Sequence, residues 1–296
     1  MSTGEASTVY VDDSGTHKGA KIVTAAFCLS TADRWLAFED KWHALEDKYS
    51  FKHFHMTEFA SCRKNGWCRD CLKGKKTEAD HPWREWPKSK RKNVLTQLAR
   101  TIEKFVECGF GIAILKKDYD DHVLNSPARQ LAGEPLGDHY FTQAVQVCGG
   151  ELSKWRAEHC RVEPLKFVFD LSPEYQREEI ASVFFGAATN RPEVQDGIEQ
   201  WFKPAGVTYE SRKNVVQLLS ADMLAWVTAS VRAYDLFFSN NPRPLMEEIS
   251  IPAKIFVDSR NLGMGFIAKK TFQQWEISVL AAGTINAQAD IQNMTD

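Results

Sequence analysis

The chain has 296 residues, and its 37 basic and 39 acidic side chains give a formal charge of -2, which excludes a histone-like protein whose whole surface is an electrostatic footprint. Hydrophobic residues make up 43% and charged residues 26%, the balance of a globular protein and far from that of a disordered chain. No stretch reaches the ~18 uncharged apolar residues of a spanning helix, so no membrane association is expected.

Residues 1–7 are polar and lack the basic-then-apolar run of a secretory signal. Cysteine number is odd, and Cys28, Cys108, Cys148 and Cys160 sit in apolar or helical stretches, which favours free thiols in a reducing cytoplasm.

Thr8-Val9-Tyr10-Val11 is β-branched and aromatic and stops at Asp12-Asp13-Ser14-Gly15, a strand feeding a turn. A second strand is expected at residues 22–29. Trp35, Phe38, Trp42 and Leu45 then recur at helical spacing, and residues 51–56 read as a third short strand. After an aperiodic segment, residues 94–106 have helical periodicity and residues 110–115 read as a strand. A long helix is expected over 138–159, a strand over 165–169 ending at Asp170, a helix over 174–188 and a short strand over 206–210. Residues 214–238 form the most apolar helix, a strand over 254–257 ends at Asp258, and a helix near 269–279 closes the chain. Alternating strands and helices predict one α/β domain over 1–296, a mixed sheet flanked by helices, with 61–87 as an insertion and 240–296 as a C-terminal extension.

Three apolar strands are thus expected to stop on an aspartate: Asp12, Asp170 and Asp258. Carboxyl ends of neighbouring strands form the crevice where α/β sheets bind ligands, although aspartate also starts turns well. Asp222 is more pointed, because it is the only charged residue between 214 and 231. A buried carboxylate needs pairing or a metal, no basic residue lies within one helical turn of it, and its cation must come from elsewhere in the fold or be an ion. Oxygen ligands of this kind suit Mg²⁺ or Mn²⁺, and two such ions serve phosphodiester cleavage.

Tyr10-Val11-Asp12-Asp13-Ser14-Gly15, His55-Met56-Thr57-Glu58-Phe59, the strand ending at Asp170, and Gln217-Leu218-Leu219-Ser220-Ala221-Asp222-Met223-Leu224-Ala225 together resemble the bacterial and phage family called domain of unknown function 3800. That family is similar to the ribonuclease H superfamily. The resemblance implies a ribonuclease H-like fold and a metal-dependent nuclease, with Asp12, Glu58, Asp170 and Asp222 as metal ligands and His55 positioning the attacking water or the phosphate. Asp13 is read as a turn residue, or as the ligand in place of Asp12 should the strand register shift by one.

The insertion carries Cys62, Cys68, Cys71 and His81, a candidate structural Zn²⁺ set containing one Cys-x-x-Cys pair. Residues 63–92 hold eleven lysines and arginines against four acids, so the near-neutral total hides a polarised molecule. Lys73, Lys75, Lys76 and Arg84 with Trp83 and Trp86 are the candidate nucleic-acid contacts, combining phosphate neutralisation with base stacking. The expected partner is DNA or RNA. Two alternatives stand beside the nuclease: an inactive member that binds nucleic acid or a protein, and an aspartyl phosphatase-like hydrolase suggested by Asp12-Asp13-Ser14-Gly15-Thr16.

Overall fold

The computed structural model describes residues 7–16, 19–62, 81–127, 140–171, 177, 180, 204–238, 247–267, 270, 271, 273 and 274. Six strands form one mixed sheet: β1 (Ser7–Ser14), β2 (Ile22–Ser30), β3 (Cys108–Leu115), β4 (Leu165–Asp170), β5 (Pro204–Glu210) and β6 (Leu262–Ile267), in the order β5-β4-β1-β2-β3-β6. Only β2 runs against its neighbours: β1 with β4, β4 with β5, and β3 with β6 pair in parallel. Consequently the carboxyl ends of β1, β4 and β5 lie side by side at one end of the sheet. The chain is of the α/β class expected from its alternation.

Helices cover both faces. On one side lie α1 (Ala32–Tyr49), the short α2 (Met56–Ser61), α3 (Lys88–Phe105), α5 (Leu218–Phe238) and α6 (Glu247–Asp258); α4 (Tyr140–Glu158) covers the other. Strand periodicity decides which residues face which layer. Val9 and Val11 of β1, and Phe167 and Phe169 of β4, pack towards α4, whereas Tyr10 packs towards α1 and α5. Asp12 and Asp170 therefore share the face covered by α5. β2 is buried along its whole length, as a central strand should be, so its apolar residues run continuously rather than alternate.

α1 buries Trp35, Phe38, Trp42 and Leu45, the residues whose spacing predicted it. Two expectations fail. Residues 51–56 form no strand: Phe51 and Phe54 enter the same core three residues apart, His53 takes a left-handed φ of 52°, and a helix begins at Met56. Residues 254–257 belong to α6, where Ala253 and Phe256 are buried at helical spacing and Asp258 is exposed at the helix end. Asp258 therefore takes no part in the convergence of acids. A run of apolar residues this short does not distinguish helix from strand. The strand that does exist there, β6, was hidden by its glycines, Gly263 and Gly265. The expected helices over 174–188 and 269–279 fall largely outside the described residues. Among the described residues, no helix is long and apolar enough to cross a membrane.

Arg91 of α3 closes the base of the insertion. Its guanidinium donates to the carbonyls of Phe59, Cys62 and Trp83 (2.9 Å for Trp83), lies over the Phe59 ring and is only 3% exposed. Both ends of the inserted segment are thereby tied to one side chain. Replacing Arg91 with Met removes the donor that three inward-facing carbonyls share, and chemical denaturation is expected to show a loss on the order of 2–4 kcal/mol. Lys92→Met, one residue along on the exposed side, is expected to stay within about 0.5 kcal/mol of wild type.

The close approach of α5 to the sheet depends on Gly111 in β3. A Cβ there would lie 2.2 Å from Thr228 Oγ1 and 3.1 Å from Thr228 Cβ. Gly111→Ala is therefore expected to lower stability by about 1–3 kcal/mol through overpacking. Adding Thr228→Ala should restore part of that loss, and thermal unfolding of the pair checks it.

Candidate active site: three aspartates around Arg212

β1 ends at a turn that only glycine fits: Gly15 has φ +80°, and a Cβ there would fall 1.9 Å from the Ile22 carbonyl oxygen. This tight exit fixes the register in which Asp12 pairs with Ala26, so Asp12, rather than Asp13, takes the place between sheet and α5. Asp13 serves the turn, its Oδ2 accepting from Thr16 Oγ1 at 2.7 Å. Its backbone N–H donates to Asp12 Oδ1 at 2.8 Å. Asp12 Oδ2 is buried and accepts no hydrogen bond.

Asp222 comes from the second turn of α5 and is the only charged residue of that helix up to Val231, the helix packing on β1, β2 and β3. Its Oδ2 accepts the Met56 N–H at 2.8 Å, one of the amides that a helix start leaves without an internal partner. Its Oδ1 lies 3.3 Å from His55 Nε2 and 3.5 Å from Arg212 Nη1. The cation that Asp222 required is thus double, Arg212 and His55.

Arg212 occupies the centre, on the turn joining β5 to α5. Nη1 lies 3.6 Å from Asp12 Oδ2, Nη2 pairs with Asp170 Oδ2, and the backbone N–H donates to Asp170 Oδ1 at 3.3 Å. One guanidinium therefore bridges carboxylates from β1, β4 and α5. Sequence reading missed it because it stands ten residues from Asp222, beyond any local helical pairing; the only signal was the basic Arg212-Lys213 pair in a turn leading into a helix with a lone acid.

A second branch runs outward through His55 and Glu58. His55 Nδ1 lies 3.9 Å from Glu58 Oε1, and His81 Nδ1 lies 3.7 Å from Glu58 Oε2. Glu58 thus stands beside the two histidines. His81 is buried against Trp83 and beside Glu58, which associates it with the acid site. Cys62 is a buried cysteine; Cys68, Cys71, Lys73, Lys75 and Lys76 lie outside the described residues. Trp83 is fully buried between Phe54 and Phe59, which corrects its reading as a base-stacking surface. Trp86 leans on Tyr49 and Phe51 with Lys90 Nζ 4.2 Å above its ring, and Arg84 approaches Glu85.

Electrostatics follow from this crowding. Burial pushes the Asp12 carboxyl well up, Arg212 only partly opposes it, and Asp222, Asp13 and Asp170 add to the rise. Burial disfavours ionised Asp222 too, but His55, Arg212 and the Met56 amide outweigh that and hold it below the usual carboxylate range. Burial would lower the His55 imidazole; Asp222 and Glu58 overcome it and raise the pKa to about 10. At neutral pH His55 is a cation and a proton donor. Among the described residues, no group of three or more His, Cys, Asp or Glu is arranged around a common metal position. The guanidinium fills the space between the acids.

In a chelator-treated sample, nitrogen-resolved NMR of the imidazoles is expected to show His55 titrating near pH 10. A midpoint near the ordinary 6.5, or one unmoved by Asp222→Asn, contradicts this geometry. Set against known protein families, curated proteins and solved structures, the chain matches none.

Proposed function

We propose that this chain is a divalent-metal-dependent phosphodiesterase of ribonuclease H-like type, a nuclease, whose metal ligands are Asp12, Asp170 and Asp222. The observation that carries the reading is that three aspartates from β1, β4 and α5 all approach one guanidinium, with Asp12 Oδ2 buried and without a hydrogen bond. A buried carboxylate oxygen is ordinarily hydrogen-bonded, and a bound ion would supply the partner that this one lacks. The donor set fits the proposed ion: all are carboxylate oxygens, the choice of Mg²⁺ and Mn²⁺. Bound there, such ions would lower the pKa of an attacking water and stabilise the leaving alkoxide.

The chain's own groups do the rest. Asp170 and Asp222 hold the acid cluster in place through Arg212 and the Met56 amide. Protonated His55, with Glu58 and His81 behind it, is placed to donate a hydrogen bond to a phosphate oxygen or a proton to a leaving group. Nucleic acid is the favoured substrate class because residues 63–92 carry a large positive excess. Lys88 and Lys92 of that excess are exposed at the N-terminal end of α3, where the helix dipole disfavours cations and an anionic partner would compensate. The resemblance to the domain of unknown function 3800 family points the same way.

Arg212 favours a second reading, in which a protein cation permanently replaces the metal and the chain binds nucleic acid without cutting it. Incubation of the full chain with single- and double-stranded DNA and RNA, in Mg²⁺, Mn²⁺ or chelator, separates the two. The nuclease reading predicts metal-dependent cleavage that falls roughly a hundredfold or more in Asp12→Asn and in Asp222→Asn. Binding without cleavage under every metal favours the second reading, and cleavage unaffected by either substitution sinks the first.

A further inference from the structure

A metal at this site must take the place of a cation already there. Arg212 contacts all three aspartates, yet it serves them unequally. Nη2 pairs closely with Asp170, while Nη1 is divided between Asp12 at 3.6 Å and Asp222 at 3.5 Å. A guanidinium presents its donors in one plane, whereas these oxygens arrive from two strands and a helix. A spherical ion accepts oxygen ligands from several directions and suits the set better. Asp12 Oδ2 records the mismatch: it is buried, faces the guanidinium and accepts no hydrogen bond.

Exposure is also unequal. The side chains of Asp12, Asp222 and Asp170 are 0%, 3% and 12% exposed, but that of Arg212 is 27% exposed. It hangs from a turn, and the acids are fixed in strands and a helix. Of the four groups, Arg212 is the most open to solvent.

We propose that Arg212 is an exchangeable counter-ion, held between Asp12, Asp170 and Asp222 in the metal-free protein and displaced by an entering divalent cation, so that this residue sets the metal affinity of the site. The inference rests on the metal reading above. In the metal-free state Arg212 keeps the aspartates together and so preserves the binding position. In the loaded state it no longer crosses the cluster.

The test uses Mn²⁺ alone, with the full chain stripped by chelator. Free Mn²⁺ is followed by electron paramagnetic resonance for wild type, Arg212→Gln and Arg212→Lys, each checked for folding by circular dichroism. Arg212→Gln is expected to bind Mn²⁺ roughly tenfold or more tighter than wild type, because a full positive charge close to the ligands is gone. Arg212→Lys, which keeps the charge, should fall between them. A second measurement needs no variant: modification of Arg212 by phenylglyoxal, read by peptide mass spectrometry, is expected to rise severalfold at saturating Mn²⁺. Equal Mn²⁺ affinity in wild type and Arg212→Gln, or unchanged labelling of Arg212 at saturation, overturns the exchange while leaving the metal site standing. If neither wild type nor Arg212→Gln binds Mn²⁺, the metal reading itself falls, and the exchange with it.

Discussion

Three carboxylates meeting at one point, two buried and one half-buried, demand positive charge, and the architecture around them is arranged to supply it. Asp12, Asp170 and Asp222 are each carried by an element whose position is settled by apolar packing: the first and fourth strands through Val9, Val11, Phe167 and Phe169, and the long helix through its own apolar surface. Packing therefore forces the acids together whether or not their charges favour it. Burying a charge and then removing its partner is far more costly than losing a surface pair, typically about 3–5 kcal/mol. Arg212, His55 and the Met56 amide are the groups that make the convergence tolerable.

The same arrangement explains why the segment after residue 50 adds no strand to the sheet. To place the Met56 N–H on Asp222 and the His55 ring beside it, the chain starts a second helix at Met56 soon after α1 ends at Tyr49. The cluster of Phe51, Phe54, Phe59 and Trp83 holds that start in place, and Arg91 fastens the carbonyls at its far end. Aromatic residues that composition alone would assign to a nucleic-acid surface thus support the acid site from behind. The buried guanidinium of Arg91 likewise belongs to the framework, so the positive excess of the inserted region overstates the charge available to a ligand by at least this one residue.

Much of this was legible in the residues before the fold was known. The helical recurrence of Trp35, Phe38, Trp42 and Leu45, the β-branched run before Asp12 and the apolar run before Asp170 each specify their element, because each is a long or cleanly bounded periodic signal. The lone charge of Asp222 in an apolar helix was enough to require a cation. Its identity was not legible, since Arg212 reaches the acids across a turn and no spacing rule describes a long side chain folding back into a crevice. Residues 51–56 and 254–257 misled for a common reason: short apolar runs carry no period, and tertiary contacts decide between helix and strand. The role of Trp83 was unreadable for the complementary reason that burial depends on what packs against a residue from far along the chain.

The aspartates and Arg212 form one electrostatic unit. A double-mutant cycle between Asp222→Asn and Arg212→Gln, read by denaturant unfolding in chelator, tests it most directly. The expected coupling energy is about 1 kcal/mol or more, because removing either partner changes the value of the other. Additive effects, with coupling within about 0.3 kcal/mol of zero, would contradict it.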